Sequence, residues 1–192
     1  MNISATMNLW IPLPLLAAAG FTMVLERRGV PTTLQLKSKG DIKRETQWLA
    51  QFGQATATVV AAVLIHAFEP AQIMKPVALL TAVFGTSLMV YVIKRLTGRV
   101  RPRREQAGQF LGPSLTSANW RESFPSSHSA CATAAAVALS GFYPQAMVVF
   151  WALALVASLL RYLMDAHWPS DVLAGMAVGY LLSHALMAAF GF

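Results

Sequence analysis

Six apolar runs, each long enough to cross a lipid bilayer, dominate this chain of 192 residues. A transmembrane helix needs about 20 consecutive apolar residues, and a helix satisfies its own backbone hydrogen bonds within the bilayer. The runs lie at residues 9–25, 48–68, 73–93, 126–142, 144–164 and 169–190. They predict an all-α integral membrane bundle of about six transmembrane helices, organised as a single domain over residues 1–192.

Glycine and proline residues indicate where one run connects to the next and where one run packs against another. Gly141 and Pro144 separate the fourth run from the fifth, a pattern that is typical of a tight connection. Gly175 and Gly179 form a small-xxx-small pair in the sixth run. Such a pair favours close packing of one membrane helix against another.

Three polar clusters lie at the ends of the apolar runs. With six spans, the loops after the first, third and fifth runs lie on one face of the membrane, and all three clusters lie on that face. Polar groups beside a membrane are costly unless they have a function, so a shared site is predicted there. The clusters are Lys94 with Arg101-Pro102, then Pro125-Ser126-Ser127-His128, then Arg161 with His167 and Asp171.

The net charge of +7 would suggest a nucleic-acid partner in a soluble chain, but 56% of these residues are hydrophobic. The basic residues lie in short loops between apolar runs, a pattern that indicates a membrane protein and no nucleic-acid partner. Acidic residues on the predicted site face are scattered, with no carboxylate pair at ligand spacing. The sequence therefore predicts no metal site and no cofactor.

The loop at residues 26–47 carries six basic residues with apolar Leu34, Leu36 and Ile42 between them. Two interpretations stay open: an interfacial amphipathic segment that attracts anionic lipid, or a solvated basic loop. The basic residues are Arg27, Arg28, Lys37, Lys39, Lys43 and Arg44.

The second cluster predicts an anion site at the start of the fourth helix. Pro125 is expected at the first helical position, where its missing N–H has no cost. The free backbone N–H groups of Ser126, Ser127 and His128 would then lie at the positive end of the helix dipole. The alternative is a serine-rich helix cap with a surface histidine.

The third cluster pairs a histidine with a carboxylate. Asp171 lies in the first turn of a helix that Pro169 is expected to open, so it can reach back toward His167. A carboxylate bonded to one ring nitrogen leaves the other nitrogen free as a nucleophile or base, although a simple helix cap would give the same spacing. Arg161, at the end of a membrane helix, must bind an anion or extend to the interface.

The first cluster lies in a basic run that follows the third span. Lys94 and Arg101 are about two helical turns apart, and we expect them on one helix face if the helix continues to Pro102. The other basic residues of the run are interpreted as a membrane flank that sets topology. They are Arg95, Arg99, Arg103 and Arg104.

In this order, Lys-x6-Arg-Pro, Pro-Ser-x-His and Arg-x5-His-x3-Asp resemble the motifs of the type 2 phosphatidic acid phosphatase (PAP2) family. The resemblance covers residues 94–171 by motif, and residues 167–175 look like the bacterial members in particular. The family usually has glycine where Ser127 stands and serine where Leu160 stands. The second departure leaves one hydrogen bond near the site unaccounted for.

The resemblance implies a role for each matching residue. His167 would be the nucleophile that forms a phosphohistidine, and Asp171 would orient it. His128 would protonate the leaving group and then activate water. The phosphate oxygens would be held by Lys94, Arg101, Arg161, Ser126 and the backbone amides of Ser127 and His128.

The implied activity is that of a metal-independent integral membrane phosphatase acting on a lipid phosphate or diphosphate. Substrates of this type include phosphatidic acid, phosphatidylglycerol phosphate, undecaprenyl diphosphate and lipid A. Two alternatives remain: transfer of the phosphate to another acceptor, and non-catalytic binding or transport of anionic lipid.

Two arguments disagree on the orientation of the site. Every lysine and arginine except Lys75 lies on the site face, so the positive-inside rule predicts a cytoplasmic site. The bacterial relatives imply a multi-pass inner-membrane protein whose site faces outward. We follow the resemblance, because basic residues that attract anionic head groups bias the count.

Overall fold

The computed structural model describes residues 8, 10–34, 40–116 and 118–192. Within these residues the chain forms seven α-helices and two short 3₁₀ helices, Asn119–Arg121 and Pro144–Ala146, and no β-strand, which confirms the all-α class. The α-helices are α1 (Pro12–Arg27), α2 (Gly40–Leu49), α3 (Ala55–Phe68), α4 (Met74–Thr97), α5 (Ser127–Phe142), α6 (Met147–Leu163) and α7 (Pro169–Ala188).

Among the described residues, three helices are long and apolar enough to cross a membrane. They are α4, α6 together with the preceding 3₁₀ turn, and α7. Helices α1, α3 and α5 have 16, 14 and 16 residues, so they are shorter than the predicted spans. The bundle exposes large apolar side chains such as Phe21, Val63, Leu88 and Val148. An apolar exterior of this extent is expected of a bundle that lies in lipid.

The predicted second run, residues 48–68, is wrong at its start. Helix α2 ends at Leu49, and the next helix begins only at Ala55. Between them Gly53 adopts φ +76°, and a Cβ there would lie 2.5 Å from Ala132 Cα of α5. The turn at Gly53 brings the backbone against α5, and it divides what the sequence presents as one apolar run.

Helix α5 lies at the centre of the bundle and packs against α4, α6 and α7. Its buried face is mostly alanine, so the neighbouring helices can approach closely. A Cβ at Gly179 of α7 would lie 2.2 Å from the carbonyl oxygen of Ala130. The predicted packing role of Gly175 and Gly179 is therefore confirmed, as is the tight connection between Gly141 and Pro144.

The predicted interfacial loop at residues 26–47 is partly helical. Helix α1 extends to Arg27, and α2 begins at Gly40. Leu36, Lys37 and Lys39 lie outside the described residues, as do the side chains of Ile42 and Lys43. The interfacial role of this loop stays a prediction.

Candidate active site

The three polar clusters meet at one end of the bundle, where the α4–α5 and α6–α7 loops lie side by side. Arg101 of the first loop donates from Nη1 to the carbonyl oxygen of Ala166 in the second loop, at 3.0 Å. The backbone N–H of Ser126 donates to the carbonyl oxygen of Asp171 at 2.9 Å. These contacts bring the beginnings of α5 and α7 together, so the clusters share one site region.

His167 and Asp171 form a buried pair in this region. The imidazole is only 2% exposed, and its Nδ1 lies 3.6 Å from Asp171 Oδ2. This separation is longer than a hydrogen bond, and Nδ1 has no other partner among the described residues. Asp171 therefore faces Nδ1, and Nε2 is the nitrogen that is left for a substrate.

The charge state of His167 follows from its surroundings. Burial lowers the pKa of His167 to about 3, and the positive charges of Lys94 and Arg101 act in the same direction. The Asp171 carboxylate opposes this shift but does not reverse it. The imidazole is neutral at physiological pH, and the neutral form is the one that carries a lone pair for nucleophilic attack.

Asp171 has four neighbours in the structure. The sequence motifs predicted His167 as one of them but not the other three. Its Oδ2 accepts hydrogen bonds from the Ser123 hydroxyl at 2.5 Å and from the Trp168 backbone N–H at 3.0 Å. Its Oδ1 lies 2.6 Å from Arg99 Nη1. The fourth neighbour, His167, faces Oδ2. Each oxygen of the Asp171 carboxylate therefore has its own partners.

Lys94 lies in the last turn of the long helix α4, with its ammonium group turned into the site region. The residue is 6% exposed, and Nζ donates to the carbonyl oxygen of Glu122 at 2.5 Å. The expected continuation of this helix to Arg101 is wrong, because α4 ends at Thr97 and Gly98 adopts the left-handed conformation, φ +60°. A Cβ at Gly98 would lie 2.3 Å from the carbonyl oxygen of Gly112, so glycine is needed for this turn.

Arg101 consequently reaches the site from a loop. Besides the bond to Ala166, its Nε donates to the Asn119 carbonyl at 2.7 Å, and its Nη2 lies 3.4 Å from the Glu122 carbonyl. Burial lowers the pKa of the Arg101 guanidinium, but arginine stays positive in proteins. Arg101 is thus a fixed cation that also joins the two loops.

The start of α5 differs from the prediction in one detail. Ser126 is the N-cap, and its hydroxyl accepts from the Ser129 N–H at 3.4 Å, so Pro125 precedes the cap and is not the first helical residue. The backbone N–H of Ser126 is already bonded to Asp171. The N–H groups of Ser127 and His128 have no partner among the described residues, so they remain available to an anion.

Arg161 and His128 complete the site region. Arg161 lies in the last turn of α6, and its buried Nε has no hydrogen-bond partner among the described residues. The positive charges of Arg161, Lys94 and Arg101 all act on the half-buried His128. Three cations, two free amides and two imidazoles therefore lie within electrostatic range of one another, which suits the binding of a doubly charged anion.

The interpretation of Arg99 as a topology-setting flank is wrong. Its side chain is 1% exposed, and it forms ion pairs with Asp171 and with Glu26 of α1, at 2.6 Å each. Two other arginines of the same run also have acidic partners. Arg95 lies 3.6 Å from Glu122, and Arg103 pairs with Asp165.

Comparison with known proteins identifies the family to which the chain is related. The sequence model of the PAP2 superfamily matches residues 75–192. A lipid A 1-phosphatase of Rhizobium etli is 36% identical over 102 residues, which cover 53% of this chain and 44% of the relative. A lipid A 1-phosphatase of Rhizobium johnstonii is 37% identical over 100 residues, which cover 52% and 41%. The chain thus spans less than half the length of these curated relatives.

The fold is also similar to a solved structure. A crystal structure of a transmembrane PAP2-type phosphatidylglycerolphosphate phosphatase from Bacillus subtilis superposes with a TM-score of 0.63 and 21% sequence identity. The superposition covers 99% of this chain and 96% of that one, so the shared fold includes the helices that precede the matched motifs. Because the superfamily model covers more than half of its residues, this chain belongs to the PAP2 superfamily.

Proposed function

We propose that this chain is an integral membrane phosphatase that hydrolyses a lipid phosphate or diphosphate without a metal ion. The observation that carries the proposal is the neutral, buried His167 facing Asp171 beside a cluster of cations. Two curated relatives are named as lipid A 1-phosphatases, so a phosphorylated glycolipid of the lipid A type is the first substrate to test. Phosphatidic acid, phosphatidylglycerol phosphate and undecaprenyl diphosphate are the comparison substrates.

The substrate phosphate would bind where the free donors converge. Arg161, Lys94 and Arg101 would neutralise its charge, and the N–H groups of Ser127 and His128 would bond its oxygens. Ser126 would act through its cap and its bond to Asp171, which hold the beginning of α5 in place. Phosphoryl transfer depends mainly on positioning and on stabilisation of spread negative charge, and these groups supply both.

The first half of the reaction would transfer the phosphoryl group to His167. Its Nε2 lone pair forms a bond to phosphorus while the bond to the leaving oxygen breaks. His128, which can take up a proton once the bound phosphate offsets the surrounding cations, gives that proton to the leaving oxygen. Asp171 stabilises the positive charge that develops on the ring by facing Nδ1–H. The lipid alcohol, or a lipid monophosphate from a diphosphate substrate, then leaves.

The second half would hydrolyse the phosphohistidine. His128, now neutral, takes a proton from a water molecule as the water oxygen attacks phosphorus. The N–P bond breaks, inorganic phosphate departs, and both histidines return to their starting states. The cations act in both halves, because both transition states spread negative charge over the same three oxygens.

A phosphate-release assay in the presence of EDTA tests this proposal directly. Purified protein in detergent micelles is expected to release phosphate from at least one of the four lipids, at a rate that added Mg²⁺ does not raise. The fixed cations supply the charge stabilisation that a metal ion would otherwise give. Release that requires Mg²⁺ would contradict the metal-independent mechanism.

The same assay separates the two alternative functions. A phosphotransferase would form a new phosphate ester when glycerol or another alcohol is added, and mass spectrometry of the products would detect it. A lipid binder or transporter would bind the labelled lipid saturably and yield no product. Either result would replace hydrolysis as the function of this site.

We propose, further, that the site faces the outside of the inner membrane. Leu115 lies in the α4–α5 loop on the site side and is 100% exposed, whereas the native Cys131 is buried. In spheroplasts, Leu115→Cys is therefore expected to react with a membrane-impermeant maleimide, and the parent protein is expected not to react. Labelling of Leu115→Cys only after permeabilisation would place the site in the cytoplasm.

A further inference from the structure

Arg99 lies buried between two carboxylates at the site end of the bundle. Its Nη1 is 2.6 Å from Asp171 Oδ1, and its Nη2 is 2.6 Å from Glu26 Oε2. The side chains of all three residues are at most 2% exposed. Burying three charges has a large desolvation cost, so such a network is weak evidence for a purely stabilising role. Its position beside the His167–Asp171 pair indicates a role in the site.

The two oxygens of Asp171 have different partners, and Arg99 distinguishes them. Oδ1 faces Arg99, whereas Oδ2 faces His167 Nδ1 and accepts hydrogen bonds from Ser123 and Trp168. Rotation of the carboxylate plane away from this orientation would break the arginine ion pair. Arg99 therefore fixes the angle at which the carboxylate faces the imidazole.

Glu26 in turn fixes Arg99, and it does so from the N-terminal helix α1. Its Oε2 accepts from Arg99 Nη2 and from the Ser170 hydroxyl, and its Oε1 accepts from the Ser170 backbone N–H at 3.1 Å. A carboxylate at the beginning of α7 also complements the helix dipole. Glu26 lies outside residues 75–192, so α1 adds a contact that the matched superfamily region does not contain.

Two aromatic rings limit the remaining freedom of Arg99. Its guanidinium carbon lies 5.2 Å from the centroid of the Phe110 ring and 5.5 Å from that of the Trp168 ring. Both distances are within the range of cation–π attraction. Two ion pairs and two ring contacts together hold the guanidinium in one place.

We propose that Arg99 and Glu26 are positioning residues, which hold the Asp171 carboxylate so that Oδ2 faces His167 Nδ1. Together they would select the imidazole tautomer that carries its proton on Nδ1 and a lone pair on Nε2. The proposal rests on the proposed function for its kinetic consequence. The expected effect on the His167 tautomer does not depend on any substrate.

The first test measures the tautomer without turnover. The chain has four histidines, so ¹⁵N-histidine spectra in micelles are simple, and His167→Gln assigns the signal of interest. We expect a single Nδ1–H tautomer in the parent and a mixture in Arg99→Lys and Glu26→Gln. Lysine keeps the charge at position 99, but it has no planar pair of donors with which to hold both carboxylates.

The second test measures kinetics with a lipid that the parent hydrolyses. Arg99→Lys and Glu26→Gln are expected to lower kcat by about 10-fold to 100-fold, the range for groups that orient a histidine through its partner in metal sites. KM is expected to change little, because neither side chain touches the substrate. In an Asp171→Asn background, neither substitution is expected to lower kcat further.

Glu105→Gln is the matched control, because it makes the same carboxylate-to-amide change at an exposed residue of the α4–α5 loop. An unchanged His167 signal in both Arg99→Lys and Glu26→Gln would overturn the positioning role. Losses of kcat that multiply with Asp171→Asn would also overturn it, since they would show an effect through the fold. A shifted tautomer in variants of a parent that hydrolyses no lipid would support positioning and reject the proposed function.

Discussion

Replacing His167 by alanine is expected to abolish phosphate release, with a loss of kcat of at least about 10⁴-fold. The substitution removes the atom to which the phosphoryl group would be transferred, and the remaining cations can only bind the substrate. A rapid acid-free quench with a ³²P-labelled lipid measures the intermediate directly. The parent is expected to carry an acid-labile, base-stable label, and His167→Ala is expected to carry none.

His66→Ala is the control for this prediction. His66 lies on the exposed side of α3, outside the site region, so its removal leaves the proposed chemistry intact. Its phosphate release is expected to equal that of the parent. A His167→Ala protein that still releases phosphate at the parental rate would exclude a phosphohistidine at this residue, whatever the substrate is.

The parts of the fold that the sequence predicted are those that local chemistry determines. Pro169 begins α7 as expected, and the Gly141–Pro144 pair ends one helix and begins the next. The glycine pair in α7 packs against α5 because a small residue every fourth position lies on one helix face. These features need only information from neighbouring residues.

Two of the errors have a common physical cause, which is contact with residues distant in sequence. Gly53 divides the second apolar run because its backbone touches α5, almost 80 residues away in the chain. Arg99 is buried, whereas Arg103 and Arg104 are exposed, because Glu26 and Asp171 form ion pairs with Arg99 in the folded chain. The one local signal for this network was an isolated carboxylate, Glu26, at the end of an apolar run.

Helix ends were the second source of error, and here the local signals existed. Thr97-Gly98 is a normal helix stop, since glycine takes the left-handed conformation easily, yet the spacing of Lys94 and Arg101 suggested a continuous helix. Ser126 is a favoured N-cap residue and displaces Pro125 from the first helical position. In both cases a capping residue, Gly98 or Ser126, determines where the helix ends or begins.

Replacing Arg161 is expected to lower activity without lowering stability. Its side chain makes no hydrogen bond or ion pair with a described residue, and its Nε is buried. We expect Arg161→Met to lower kcat/KM by about 10²-fold to 10³-fold, the usual effect of removing one preorganised donor to a transition-state oxyanion.

The melting temperature of the ligand-free protein distinguishes a phosphate-binding cation from a structural one. Arg161→Met is expected to leave it unchanged or raise it, because a half-buried charge without a hydrogen-bond or ion-pair partner is removed from the folded state. Arg101→Met is the matched comparison, and it is expected to lower both activity and melting temperature, since Arg101 donates to the carbonyls of Asn119 and Ala166. Equal losses of melting temperature in the two variants would mean that Arg161 has a structural partner, and its unpaired Nε would no longer support a role in binding phosphate.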